Sequence, residues 1–386
     1  MAFLALAMLA FAVFGGVLVL VGASQAELAK TLDLDLAASG FLAALLSLGI
    51  GLGVVVMGPL ADRVASRPLF VAAASLGALG LWGAAVWPVH AVVLASLVAG
   101  GAGAGAYETL LNTVVPQSDP RRAAPRLALV HAAATGGAVL GAALLGGLAA
   151  EQGFPAAFAV TGGALAVVAL AGLVAPFPSS PHASPRGVRR GQAPEAEPLT
   201  PVLPFAAVSF AYVGFETALT IFAVPYARGL GLPVARGVAA ISAFWFGLLV
   251  SRLLFALLGR RATPRLLALQ GAAAGAVVAG GALLRIQSIE LWAGALGLVL
   301  GVVFPLLVAF TSERVQAHRG SATGLVVGAG SLGGFAVPWC TGVLGDALGA
   351  RCAVGSLALW CALVAVAAWY AARPREPLQP HRAEPS

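Results

Sequence analysis

Glu108, Glu216 and Arg252 carry charge within long apolar runs of this 386-residue sequence, the two acids well inside theirs. A charge at the centre of a bilayer costs about 2.5–3.5 kcal/mol on insertion scales, so an acid kept at such depth needs a reason. Desolvation penalises the ionised form of a carboxyl group. A buried acid therefore takes up a proton when enclosed and gives it up when water or a cation reaches it, which is the chemistry of a proton-coupled carrier. The other reading is a permanently neutral acid that ties two helices together, and both readings stay open for Glu108 and Glu216. Nearby residues could hydrogen-bond a hydroxyl-rich ligand: Asn112, one turn after Glu108 on the same helix face, with Thr109, His131 and Gln270. Tyr107, Tyr212, Phe215, Phe244 and Trp245 offer aromatic faces on which a ligand ring could stack. Each of these polar and aromatic residues could equally cross-link or pack helices.

Composition sets the medium in which those residues act. Hydrophobic residues make up 60% of the chain and charged ones 10%, with mean hydropathy +0.95. Soluble domains carry about 25% charged residues, so this chain belongs in a lipid bilayer. The net charge of +7 does not point to nucleic acid, because the basic residues are spread through loops and form no basic face. Cys340, Cys352 and Cys361 show no C-x-x-C or His-rich spacing and read as small hydrophobes rather than metal ligands or disulfide partners. No G-x-S-x-G, H-E-x-x-H or Walker loop occurs, so the sequence predicts neither an enzyme nor a bound cofactor or metal.

Twelve apolar runs are long enough to cross a core of about 30 Å: 3–23, 37–57, 69–88, 91–115, 126–149, 156–177, 202–226, 237–259, 265–284, 289–311, 321–345 and 352–372. They are continuous and do not alternate, which predicts helices rather than barrel strands. The first run is too long for a secretory h-region and no positive residue precedes it, so it reads as a membrane helix. Sixteen of the 22 Lys and Arg fall on one side of the membrane, five on the other, and Arg252 lies within a run. By the positive-inside rule the Arg-rich side, with both termini, is cytoplasmic. Residues 178–201, rich in Pro, Ser and Arg, have the composition of a flexible linker. The chain then divides into a six-helix bundle over 1–177, that linker, a second bundle over 202–372, and a tail over 373–386. The halves echo each other: Gly146-Gly147-Leu148 with Gly153 beyond matches Gly342-Val343-Leu344 with Gly349 beyond. Two like halves are how many carriers build a midplane site open to alternate sides. The Phe304-Pro305 pair marks a break in the tenth run.

With these features in view the chain resembles the major facilitator superfamily. Gly58-Pro59-Leu60-Ala61-Asp62-Arg63 followed by Arg67 is similar to that family's G-x-L-x-D-R-x-G-R-R/K loop between the second and third helices, with Ala65 and Ser66 departing from it. The resemblance implies a latch between the two halves, with Gly58, Asp62, Arg63 and Arg67 as gating residues. Shifted by 193 positions, Ser251-Arg252-Leu253 overlays Gly58-Pro59-Leu60, which places Arg252 near the cytoplasmic edge as part of a second-half latch, with substrate contact the alternative. Within the superfamily the chain is most similar to the fucose/glucose–proton symporter branch. Gly101 to Asn112 carries a G-x-G-x-x-E-x-x-x-N pattern, Tyr212-Val213-Gly214-Phe215-Glu216 a Y-x-G-x-E, and Phe244-Trp245-Phe246-Gly247-Leu248 with Arg252 an F-W-x-G-L ending in Arg. His131 ahead of Gly137 and Gly141 resembles its fifth-helix motif.

The resemblance implies an all-α fold of twelve transmembrane helices in two pseudo-symmetric bundles. It implies a secondary carrier, a monomer in the cell membrane, that moves a small polar, sugar-like solute inward with a proton. Symporters of that branch also use an acid in the first helix, and residues 3–23 have no ionisable side chain, so uniport or another coupling ion stays open. A drug or metabolite exporter is the rival. The Arg early in the fourth helix and the Gly-Pro of the fifth that such antiporters carry are replaced here by Ser96-Leu97 and Gly141-Ala142. A non-transporting sensor or scaffold is a further alternative, with no need of intramembrane acids.

Overall fold

A computed structural model describes residues 2–61, 63–178, 200–258, 263–314 and 319–373. Backbone polar groups in lipid must be satisfied within their own segment, and the chain is accordingly helical, with no strand among the described residues. Among the described residues, twelve helical stretches are long and apolar enough to cross a membrane. The first half contains α1 (Ala2–Ala23), a short α2 (Gln25–Leu32), α3 (Leu36–Ala61), α4 (Ser66–Val86), α5 (His90–Ser118), α6 (Ala123–Gln152) and α7 (Phe154–Val174). The second contains α8 (Leu203–Gly229), α9 (Val234–Leu258), α10 (Pro264–Leu284), α11 (Ile289–Leu300), α12 (Val303–Arg314), α13 (Arg319–Leu348) and α14 (Ala350–Ala371). Most of the 178–201 segment, the tail beyond Arg373, Asp62, Arg260 and Arg261 lie outside the described residues.

Two features differ from a plain count of apolar runs. The α2 helix has eight residues, several of them polar, too few and too mixed for hydropathy to mark. The tenth run is divided, with α11 ending at Leu300 and α12 starting at Val303, just ahead of Pro305, as the Phe304-Pro305 pair leads one to expect. Pro59, Pro116, Pro225 and Pro338 are carried inside their helices.

The internal repeat is visible in the backbone. Gly153 and Gly349 share a positive φ of 84°, each closing one long helix and opening the next. Only glycine adopts that conformation without strain. The α1–α6 pair of the first half corresponds to the α8–α13 pair of the second. In the first, Gly137 lies against the carbonyl of Ala12, and in the second Gly333 lies against the carbonyl of Phe210, with no room at either for a Cβ. Lipid supplies no hydrophobic drive between helices, so small residues that allow close backbone contact hold such pairs together.

The halves meet along α3 with α13, α6 with α9, and α1 with α8. On the side away from the termini this seam is tight. Gly40 lies under the Pro338 carbonyl, Gly342 against Leu36, and Gly22 against the Thr220 carbonyl. Asp346 of α13 accepts hydrogen bonds from the backbone N–H of Leu36 (2.9 Å) and Ala37 (2.9 Å) at the start of α3. Those N–H groups belong to the unpaired first turn of a helix, and the carboxylate satisfies two of them. Toward the termini the seam loosens: Gly58, Gly136, Gly324 and Gly328 have no neighbour within 4 Å of a Cβ position.

Candidate functional site

A cavity of about 210 Å³ lies between the halves, from the middle of the bundle toward the side of the termini. Eight of the helices wall it. From the first half come Phe14 and Leu18 of α1, Ser47, Ile50 and Val54 of α3, Glu108 of α5, and His131 and Thr135 of α6. From the second come Tyr212, Glu216 and Thr217 of α8, Trp245 and Arg252 of α9, Phe304 of α12 and Ser331 of α13. A smaller cavity of about 40 Å³ lies above it, toward the tight seam, and shares Leu18, Ser47, Ile50, Glu216, Thr217 and Trp245.

Each acid is held by a residue one turn away on its own helix. The Asn112 amide donates to Glu108 Oε1 at 2.5 Å, and the Tyr212 hydroxyl donates to Glu216 Oε2 at 2.7 Å. Positions i and i+4 lie one above the other on a helix, so a local pair orients each carboxyl group with no help from the opposite half. Arg252 is the cation of the site. Its Nε donates to the Gly301 carbonyl (2.9 Å) and its Nη1 to Thr135 Oγ1 (2.7 Å), so it bridges the two halves. It also lies within electrostatic reach of Glu216 and His131. His131 packs its ring edge-on to Phe11 at 5.1 Å. Trp245 is 4% exposed, and its indole N–H has no hydrogen-bond partner among the described residues. An unpaired buried donor is costly.

Of the sequence candidates, Glu108, Glu216, His131, Tyr212, Trp245 and Arg252 line the cavity. Asn112 reaches it only through Glu108. Four others point elsewhere. Tyr107 is fully buried, donates to the Ala10 carbonyl (3.2 Å) and packs against Phe14 and Phe70. Thr109 donates to Gly105 of its own helix. Phe215 meets Phe244 edge-on, and Gln270 ties α10 to the Val299 carbonyl of α11. Arg252, offered as a second-half latch with substrate contact the alternative, lines the cavity.

Within the basic hinge, Gly58 has nothing within 4 Å of a Cβ position, Arg63 is exposed, and Arg67 donates to the Ala175 carbonyl of its own half. Asp62 is outside the described residues. Sequence reasoning missed Ser47, Thr135, Thr217 and Ser331, whose only signal was a hydroxyl in an apolar run, and Phe14 and Phe304.

The site therefore combines two carboxyl groups from opposite halves, one guanidinium, a histidine, several hydroxyls and an aromatic wall, in a cavity closed on one side of the membrane. No curated protein matches the sequence. Solved structures do match the fold. The D-xylose–proton symporter aligns at 15% identity over 96% of this chain and 96% of its own, with a TM-score of 0.78. The nucleoside transporter NupG aligns at 15% identity over 95% and 98%, with 0.74. The transporter FucP, in its outward conformation, aligns at 18% identity over 96% and 99%, with 0.65. These likenesses concern the fold. The sequence profile of the Major Facilitator Superfamily matches residues 3–303, and this integral, multi-pass membrane protein belongs to that family of solute transporters.

Proposed function

We propose that the protein is a secondary carrier working by alternating access that moves a small polar, sugar-like solute inward together with a proton. The observation that carries this reading is the convergence of Glu108 and Glu216, one from each half, on a single cavity whose described wall offers Arg252 as its only guanidinium. Desolvation penalises a charged carboxyl group. An acid wetted in one state and enclosed in another can thus carry a proton across, provided its enclosure tracks the movement of the halves. Glu108 is the stronger choice for that role, because its side-chain partner is the neutral Asn112, whereas Glu216 sits near Arg252. The hydroxyls of Ser47, Thr135, Thr217 and Ser331 and the face and N–H of Trp245 suit a ring bearing hydroxyl groups.

In this proposal the chain divides into the two bundles at 1–177 and 202–372, joined by 178–201, and the Arg-rich side is cytoplasmic in the cell membrane, as the positive-inside rule requires. Gly58, Asp62, Arg63 and Arg67 then latch the cytoplasmic side when it closes. The neighbours that transport xylose and nucleosides favour polar, ring-bearing cargo. The test is uptake by purified protein in liposomes under an imposed pH gradient, with a panel of sugars and nucleosides. Accumulation above equilibrium that collapses with the gradient is expected for at least one compound. Absence of flux for the whole panel, or flux indifferent to the gradient, refutes proton-coupled uptake.

A further inference from the structure

We infer that Arg252 is a positioning residue that supplies the hydrogen bond Pro305 removes from the tenth span, and so sets the bend between α11 and α12. In an unbroken helix the Gly301 carbonyl would accept from the backbone N–H of residue 305. Proline has none. Helical bonding resumes one residue on, where Leu306 N–H donates to the Val302 carbonyl at 3.1 Å. The freed Gly301 carbonyl, in a buried stretch, takes the Arg252 Nε instead, at 2.9 Å. A glycine is needed there, because the Leu248 carbonyl and Ser251 of α9 fill the space a Cβ would occupy. That close approach is what brings the next residue, Arg252, within reach of the α11–α12 break.

The same guanidinium is tied by Nη1 to Thr135 in the first half and faces the cavity. The far side of the break faces the cavity too: Phe304 lines it and stacks on Tyr212, ring centroids 6.5 Å apart, and Tyr212 in turn holds Glu216. The bend of the tenth span is thus fastened to the solute cavity at two points. A solute oxygen that competes for the Arg252 guanidinium would leave the Gly301 carbonyl unpaired and release α12 relative to α11. This inference rests on the alternating-access reading, and adds to it the residue through which an occupied cavity moves the second half.

The test is a two-residue cycle read by pulsed electron–electron resonance in nanodiscs without solute. Spin labels at Leu60→Cys and Glu313→Cys, with Cys340, Cys352 and Cys361 replaced, report the spacing of α3 and α12 on the open side. R252Q is expected to shift the ratio of open to closed populations at least tenfold in the Pro305 background. With P305A, which returns an N–H to Gly301, the same change should move the ratio less than twofold. R252K, keeping a donor and the charge, should lie closer to the parent than R252Q does. Should P305A not fold, P305S restores the same N–H. An R252Q shift of equal size in both backgrounds, or none in either, overturns the inference. Because no solute is present, a failed uptake assay leaves this result readable, and a null result here leaves transport untouched.

Discussion

Replacing Asp346 tests whether the tight side of the molecule is held by a capping interaction between the halves. The carboxylate of Asp346, on α13, accepts from the first two N–H groups of α3, each at 2.9 Å. Since α3 and α13 belong to different halves, both bonds must break before the cavity opens on that side. Losing a helix-capping acceptor costs about 0.5–2 kcal/mol, and a charge at a helix N-terminus contributes about 0.3–1 kcal/mol. Asp346 is exposed, so screening places the combined effect near the lower part of that range, about 1–2 kcal/mol. At 1.4 kcal/mol per factor of ten, D346A should raise the population open on this side by about five- to thirty-fold. D346N keeps an acceptor but loses the charge, and should produce a smaller shift that shrinks further in high salt. Spin labels at the exposed Lys30 and Leu348 in a background without cysteine report this directly. If D346A leaves the distance distribution within twofold of the parent, the cap is incidental and the glycine-lined seam alone closes this side. Equal effects of D346A and D346N, unchanged by salt, would mean that the charge plays no part.

Three further outcomes follow from the geometry. E108Q, whose amide can still pair with Asn112, should preserve expression and solute counterflow in liposomes while abolishing accumulation driven by a pH gradient, and retained accumulation would remove Glu108 from the coupling role. G137V and G333V each force a side chain against a carbonyl of the partner helix and should cost about 1–3 kcal/mol, read as a lowered midpoint in a thermal stability assay. G147V, at a glycine with nothing within 4 Å, is the neutral control, and equal losses in all three would discount the close approach. A cysteine placed at Arg121 or at Glu313 should react with a membrane-impermeant maleimide only from the cytoplasmic face, and labelling from outside the cell would reverse the proposed orientation.

Spacing within one helix was enough to read Asn112 beside Glu108, and the same spacing holds for Tyr212 and Glu216, a pair the sequence reading did not draw. Asn112 and Tyr212 each stand four residues from an acid, and the structure joins each of them to its acid. The same rule separates the two tyrosines. Tyr107 is adjacent to Glu108, about 100° round the helix, and it turns away to the Ala10 carbonyl. Thr109 and Phe215, also adjacent to an acid, turn away likewise. Gln270 shows the limit of this approach, since its partner is a carbonyl of the next helix and no spacing within α10 reveals it. The offset of 193 positions aligned Arg252 with the basic hinge but gave no account of the direction its side chain takes.

By itself the sequence determined that the chain crosses a bilayer twelve times as two related halves, because apolar length and the distribution of arginine are properties of each segment and of the solvent around it. It also determined that two carboxyl groups lie at membrane depth and that Asn112 shares a helix face with Glu108, because helix periodicity links neighbours one turn apart. Only the tertiary structure decided that Glu108 and Glu216 face the same cavity, that Arg252 takes up the carbonyl left by Pro305, and that Asp346 caps a helix start 310 residues away. Those contacts depend on how separate helices rotate and lean against one another, and that is set by close packing at particular glycines across the whole bundle rather than by any one helix.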